Sequence, residues 1–266
     1  AGVIFQPEFV RGLSLSVDYY NIEIENVIFA LGAQTIINQC YDNPSGIDNP
    51  FCASIFRRPD GTFQGQSDRL LGGSTVTFPL APTDRSFMSG PFNFARQKTS
   101  GIDFDLNYQR DLGPVAISFR GLLSYVIERD NFTDIDDPNF INQQLLELGD
   151  PEFSGSIILG LDFGVPRLTY NMRYIGEQFV NTFETFNALQ GRPPENPDYS
   201  TPSIYPETFY HNFRLDLETE GGQSFYVGVD NVLDTIPPLG LDGTTAGSGI
   251  YDNIGRFFYA GFRFNF

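Results

Sequence analysis

Residues 258 to 266 read F-Y-A-G-F-R-F-N-F, so Phe258, Ala260, Phe262, Phe264 and Phe266 share one face of an extended chain. Tyr259, Gly261, Arg263 and Asn265 share the other. Period-two alternation of this kind predicts a β-strand with one apolar side. In a water-soluble sheet such a strand exposes a flat apolar edge and invites aggregation. Against lipid, in a closed barrel, its side chains and its backbone are both satisfied.

The same alternation recurs upstream and predicts about eight strands, joined in turn by short and long connections. From Gly12 the first places Leu13, Leu15, Val17 and Tyr19 on one face. Past Tyr20 the parity changes to Ile22 and Ile24, as a β-bulge or the exit from a membrane band produces. The second sets Ile102, Phe104, Leu106 and Tyr108 against Asp103, Asp105 and Asn107. The third sets Val115, Ile117, Phe119, Leu123 and Tyr125 against Ser118, Arg120 and Ser124. Ile157, Leu159, Leu161 and Phe163 oppose Ser156 and Asp162 in the fourth, and Leu168, Tyr170, Met172 and Tyr174 oppose Thr169, Asn171 and Arg173 in the fifth. In the sixth, Phe209, Phe213, Leu215 and Leu217 oppose Arg214 and Asp216, and Phe225, Val227 and Val229 alternate with Tyr226, Gly228 and Asp230 in the seventh.

Short turns near residues 7–11, 111–114, 164–167 and 220–223 alternate with long connections near 29–93, 130–150, 181–207 and 234–252. Outer-membrane barrels have this layout, with short periplasmic turns and long extracellular loops. The predicted class is therefore all-β, a transmembrane antiparallel β-barrel, with a soluble β-sandwich as the alternative. A transmembrane helix needs about 20 apolar residues in a row. The longest apolar runs, such as Ile157 to Leu161, fall far short.

Composition excludes further classes. With 33 acidic residues against 16 basic ones, the formal charge of −17 leaves no basic surface for nucleic acid. Cys40 and Cys52 lie in a stretch rich in Asn, Asp, Gly and Pro. Their spacing suggests a local disulfide formed in an oxidising compartment. A metal site is the sharper alternative, but neither a His nor a second Cys pair accompanies them. No Gly-rich phosphate loop, metal quartet or CxxC pair is present, and no cofactor is expected.

Several stretches carry a resemblance: L-S-L-S-V-D-Y-Y-N-I-E-I-E-N-V-I at 13–28, T-S-G-I-D-F-D-L-N-Y at 99–108, G-V-D-N-V-L-D at 228–234, and R-F-F-Y-A-G-F-R-F-N-F at 256–266. In this order, with the loop cysteines, the chain resembles the C-terminal part of a TonB-dependent outer-membrane receptor. The resemblance implies a 22-stranded barrel with an N-terminal plug, residing in the outer membrane of a Gram-negative bacterium. It implies active uptake of a scarce nutrient such as a siderophore or saccharide, powered by the TonB complex. Residues 1–266 then correspond to roughly the last eight strands, and Ala1 to Gln6 to the tail of a preceding one. Neither plug nor coupling box is visible in the chain. The partners implied are outer-membrane lipid, the remaining strands and plug, the TonB complex, the small-molecule nutrient and the barrel-assembly machinery. That machinery would read Phe258, Phe262, Phe264 and Phe266.

The residues add candidate contacts of their own. Asp103, Asp105, Asp162 and Asp216, interleaved with Arg120, Arg173, Arg214 and Arg263, are expected in the lumen, where they pair across strands, hold a plug or simply solvate the wall. Tyr41, Phe183, Tyr199 and Tyr205 are candidate ligand contacts, because rings offer rigid amphipathic area; packing within the loops is their ordinary alternative. Asp134, Asp136 and Asp137 resemble a calcium ligand set but lack the glycine and distal Glu of a known loop type. The acidic loops favour a neutral or cationic ligand, such as a saccharide, over an anionic chelate. Two other classes are open: a self-contained eight-stranded structural or adhesive barrel, and an outer-membrane hydrolase using the single histidine, His211, as base. No serine is placed convincingly beside it, and the chain is not read as an enzyme.

Overall fold

The computed structural model describes residues 1–42, 46–57, 59, 61, 68–71, 74–77, 87, 91–196, 198, 204–219, 221–238 and 249–264. The chain divides into two compact units, residues 1–24, 97–132 and 139–266 in one, and residues 25–96 and 133–138 in the other.

A single sheet holds nine strands in chain order: β1 (Gly2–Phe5), β2 (Leu13–Ala30), β3 (Pro91–Leu112), β4 (Val115–Phe132), β5 (Phe153–Asp162), β6 (Pro166–Ile175), β7 (Thr208–Glu218), β8 (Ser224–Asp230) and β9 (Phe257–Arg263). Each is hydrogen-bonded to its successor, and the short strand Asn142–Gln143 adds to β4. Among the described residues the sheet runs open from β1 to β9. The ninth strand beyond the expected eight is β1, where the sequence reads as the tail of a preceding strand. β8 and β9 are seven residues long. Asn265 and Phe266 lie outside the described residues.

The pairing register converts strand alternation into two faces. One row runs Phe119, Leu159, Tyr170, Phe213, Val229, Phe258 across β4 to β9. The next runs Ile117, Leu161, Leu168, Leu215, Val227, Ala260. The interleaved row reads Ser118, Gly160, Thr169, Arg214, Gly228, Tyr259. A shift of one residue in any pair would mix these rows, so the pattern fixes the register. Cross-strand rings reinforce it, with Tyr125 on Phe153 at 4.7 Å, Tyr174 on Phe209 at 4.8 Å and Tyr170 on Phe213 at 5.0 Å between centroids. Such pairs contribute about 0.2–1 kcal/mol each.

Among the described residues, nothing covers the apolar face. Phe258 is 69% exposed and Phe262 72%, and Phe213, Phe225 and Val227 are also exposed. An exposed apolar surface of this extent marks an interaction surface. Among the described residues, no helix is long and apolar enough to cross a membrane.

The short connections are built to turn tightly. Gly113, at φ 69°, takes the left-handed backbone in the two-residue link Gly113-Pro114 between β3 and β4. Between β5 and β6, Asp162 accepts the Gly164 N–H at 2.9 Å and the Arg167 guanidinium at 2.7 Å. Glycine also makes room on the polar face. A Cβ on Gly228 would enter the Tyr259 ring, and one on Gly261 the Tyr226 ring. These tyrosines therefore lie flat against cross-strand glycines.

The second unit carries helix α1 (Ala33–Tyr41), with Ile36 fully buried and Cys40 nearly so. Cys40 and Cys52 form a disulfide, settling the alternatives that their spacing left open. Asn49 knots the loop they close. Its side-chain oxygen accepts the Phe51 and Cys52 N–H groups at 3.0 and 3.1 Å, and its amide donates to the Cys40 and Gly46 carbonyls at 3.2 and 2.7 Å. A bridge over a sequence separation of 12 restricts the unfolded loop by about 3 kcal/mol. Cys40→Ser with Cys52→Ser is therefore expected to expose residues 30–60 to limited proteolysis while the sheet stays resistant; equal resistance of the loop would refute this.

Candidate functional site

The polar face of β2 to β5 carries the main cluster of charges, placed there by the parity of the strands. Asp103 accepts the Ser124 hydroxyl at 2.5 Å, and Asp105 accepts Arg120 at 3.1 Å. Tyr20 lies across Gly101 on the neighbouring strand. Toward the long-connection end, Arg129 pairs with Asp150 at 2.8 Å and Lys98 with Glu128 at 2.8 Å. Tyr20, Asp103, Ser124, Arg129, Asp150 and Ser154 line an open recess of about 550 Å³. Its two lining carboxylates, Asp103 and Asp150, outnumber its single cation, which Asp150 already engages.

The polar face is not uniformly polar. Leu122 and Ile158, at 40% and 42% exposure, occupy positions on it that flank Arg120 and Ser156. Alternation read from sequence missed them, because each interrupts an otherwise polar series.

Three connections meet above the strands. Gln178, only 1% exposed, accepts the Gly149 N–H and donates to the Tyr251 hydroxyl at 2.8 Å. Tyr210 accepts the Asp252 N–H at 3.1 Å. Ile175, Tyr210 and Tyr251 form a buried cluster flanked by Leu148, Tyr205 and Ile250. One glutamine thus ties the β4–β5, β6–β7 and β8–β9 connections together. Sequence offered no signal for it, since an isolated Gln in an aperiodic loop resembles any solvated one. Burial pushes the Asp150 carboxyl above its usual range, partly offset by Arg129.

The expected site residues fall in several places. Tyr205 packs on the buried cluster, in the short strand Ile204–Tyr205 paired with Gln178–Phe179. Phe183 opens helix α2 (Phe183–Phe186), its ring 6.2 Å from Phe179. Tyr41, in the second unit, is 51% exposed and accepts Arg57 Nε at 3.0 Å. Tyr199 lies outside the described residues. Among the charges, Asp162 meets Arg167 in its own hairpin, and Arg214 meets Asp216 on its own strand at 2.7 Å. Arg214 also covers the Tyr226 ring at 4.2 Å, and Arg173 the Tyr210 ring at 5.5 Å. Arg263 sits opposite Ser224 at the end of β9.

Asp134 turns on its own backbone, accepting the Asp136 and Asp137 N–H groups at 3.0 and 3.1 Å. His211 Nδ1 lies 2.8 Å from the Tyr170 hydroxyl, and its opposite residue on β6 is Met172. That pairing supplies a phenol where a hydrolase needs a serine. On the terminal strand, Phe262 and Phe264 rings stand 5.3 Å apart, and Phe258 faces outward with Phe262.

A family model described as TonB dependent receptor-like, beta-barrel, matches residues 1–232. No curated protein matches the chain. Among solved structures, the chain is similar to the siderophore receptor PirA from Acinetobacter baumannii at 15% identity and a TM-score of 0.53, covering 97% of this chain and 30% of that one. It is also similar to a mutant of the ferric enterobactin receptor PfeA from Pseudomonas aeruginosa at 14% identity and a TM-score of 0.51, covering 97% and 29%. The chain spans about three-tenths of the length of these structures.

Proposed function

Since this chain belongs to the TonB-dependent receptor β-barrel family, we propose that it forms the C-terminal part of a receptor barrel in the outer membrane of a Gram-negative bacterium. The receptor takes up a scarce small-molecule nutrient with energy delivered by the TonB complex. The observation that carries this reading is the two-faced sheet, apolar on one side with nothing covering it among the described residues, and charged on the other.

Leu122 and Ile158 suit the same reading. An apolar patch on a lumen wall favours cover by a folded plug over an open water-filled pore. Arg120, Arg173, Arg214 and Arg263, with Asp103, Asp105, Asp162 and Asp216, then form the wet wall around it. Phe258, Phe262, Phe264 and Phe266 serve the barrel-assembly machinery, and the outer face meets lipid.

The ligand is neutral or cationic, with a saccharide the best fit. The carboxylate excess at the recess repels an anionic chelate, while Tyr20 offers a ring for stacking. Tyr41, Phe183, Tyr199 and Tyr205 remain the loop aromatics assigned to contact it. Uptake of labelled oligosaccharides and of ferric siderophores, measured in cells carrying the full-length receptor with and without a functional TonB, tests this. TonB-dependent saccharide uptake is the expected result. TonB-dependent uptake of an anionic siderophore alone would overturn the ligand class, and uptake independent of TonB would overturn the transport reading.

A further inference from the structure

Glu147 sits in the turn 144–150, where Gln144, Glu147 and Asp150 are linked by backbone bonds of 3.0 and 2.9 Å. This turn is pressed against the β6–β7 connection. Phe179 N–H donates to the Leu146 carbonyl at 2.6 Å, and Gln143 N–H donates to Glu184 Oε1 at 2.7 Å. Glu147 itself accepts a backbone bond from Phe183, yet its Oε1 is buried with no hydrogen-bond partner. A carboxylate oxygen buried without a donor is costly while ionised and far less so when neutral.

The charged groups that face Glu147 are Glu184 from the β6–β7 connection and Asp150 from its own turn, both acidic. Asp150 is in turn paired with Arg129 at 2.8 Å. Glu184 Oε1 is itself held as an acceptor by the Gln143 N–H at 2.7 Å, on the strand end that leads into the Glu147 turn. The same two connections line a recess of about 210 Å³ that includes Phe140, Asn142, Glu184 and Arg192.

We propose that Glu147 is a protonation-controlled latch between the β4–β5 and β6–β7 connections, holding them together when neutral and letting them part when ionised. Parting dismantles the Phe140–Arg192 recess, so the latch sets the shape of the loop surface according to external pH. The device goes beyond the transport reading and stands whichever ligand the receptor carries.

Burial, then Glu184, pushes the Glu147 carboxyl up from 4.5 to about 7. A raised carboxyl stabilises the closed form fully below its ordinary value and loses that stabilisation as pH rises through the raised one. Between pH 5.5 and 8.5, the closed-to-open ratio therefore falls about thirtyfold. Hydrogen–deuterium exchange of the full-length receptor in detergent, corrected for intrinsic exchange, reads this in peptides covering 179–187. The expected result is that fall in protection in the wild type, abolished in Glu147→Gln and reduced in Glu184→Gln. Equal protection at the two pH values in the wild type, or an undiminished fall in Glu147→Gln, would overturn the latch.

Discussion

Gly101→Val is expected to destabilise the sheet strongly at β2 to β4. A Cβ at this position would lie on the Tyr20 hydroxyl and 2.6 Å from the Tyr125 carbonyl oxygen. The tyrosine can swing away, but the carbonyl belongs to the backbone of β4 and cannot. Overpacking of this kind costs about 3 kcal/mol. The measurement is urea unfolding of the receptor refolded into phospholipid vesicles, with the heat-dependent gel shift as a check on folding. Gly228→Ala provides the contrast, because the atoms nearest its Cβ all belong to the Tyr259 side chain. The double change Gly228→Ala with Tyr259→Ser should recover most of the loss, whereas Gly101→Val with Tyr20→Ser should not. A wild-type unfolding midpoint for Gly101→Val would show that the β3–β4 contact is looser than described.

Leu159→Arg should be nearly as damaging for a different reason. Leu159 lies within the apolar row, between Phe119 and Tyr170. An arginine near the bilayer midplane on a lipid-facing position costs about 2–4 kcal/mol. Asn171→Arg, one position along β6 from Tyr170 and on the other face, should change stability by less than about 1 kcal/mol, as polar exchanges on a wet wall do. The ordering of the two variants in vesicle unfolding reports which face meets lipid. A reversed order would turn the sheet inside out and favour a packed sandwich.

The sheet was legible because its physics is periodic. Each strand must present alternate residues to two solvents, and that demand is written into residues 102–108, 115–125 and 168–174 at every second position. The Asp105–Arg120 pair followed from the same parity. Other contacts had no periodic cause. Asp162 took Arg167 as partner because a tight turn brings them together, whereas the alternation pointed only to a shared face. Gln178 and Glu147 acquire their roles when three aperiodic connections close over one another, and neither neighbour in sequence announces it. The tyrosine–glycine pairs were half visible: the glycines stood at polar parity, but which ring would lie on each depended on a register that only the paired strands reveal.

The Cys40–Cys52 bridge bears on how the receptor is made. Thiols meet oxidants in the periplasm, before the barrel is inserted, whereas the proposed orientation carries this loop to the cell exterior. If oxidation precedes insertion, the loop makes that crossing as a covalently closed ring with Asn49 knotted inside it, wider than a linear strand. The loop would then reach its place as a preformed element, and the order of oxidation and insertion becomes a determinant of yield.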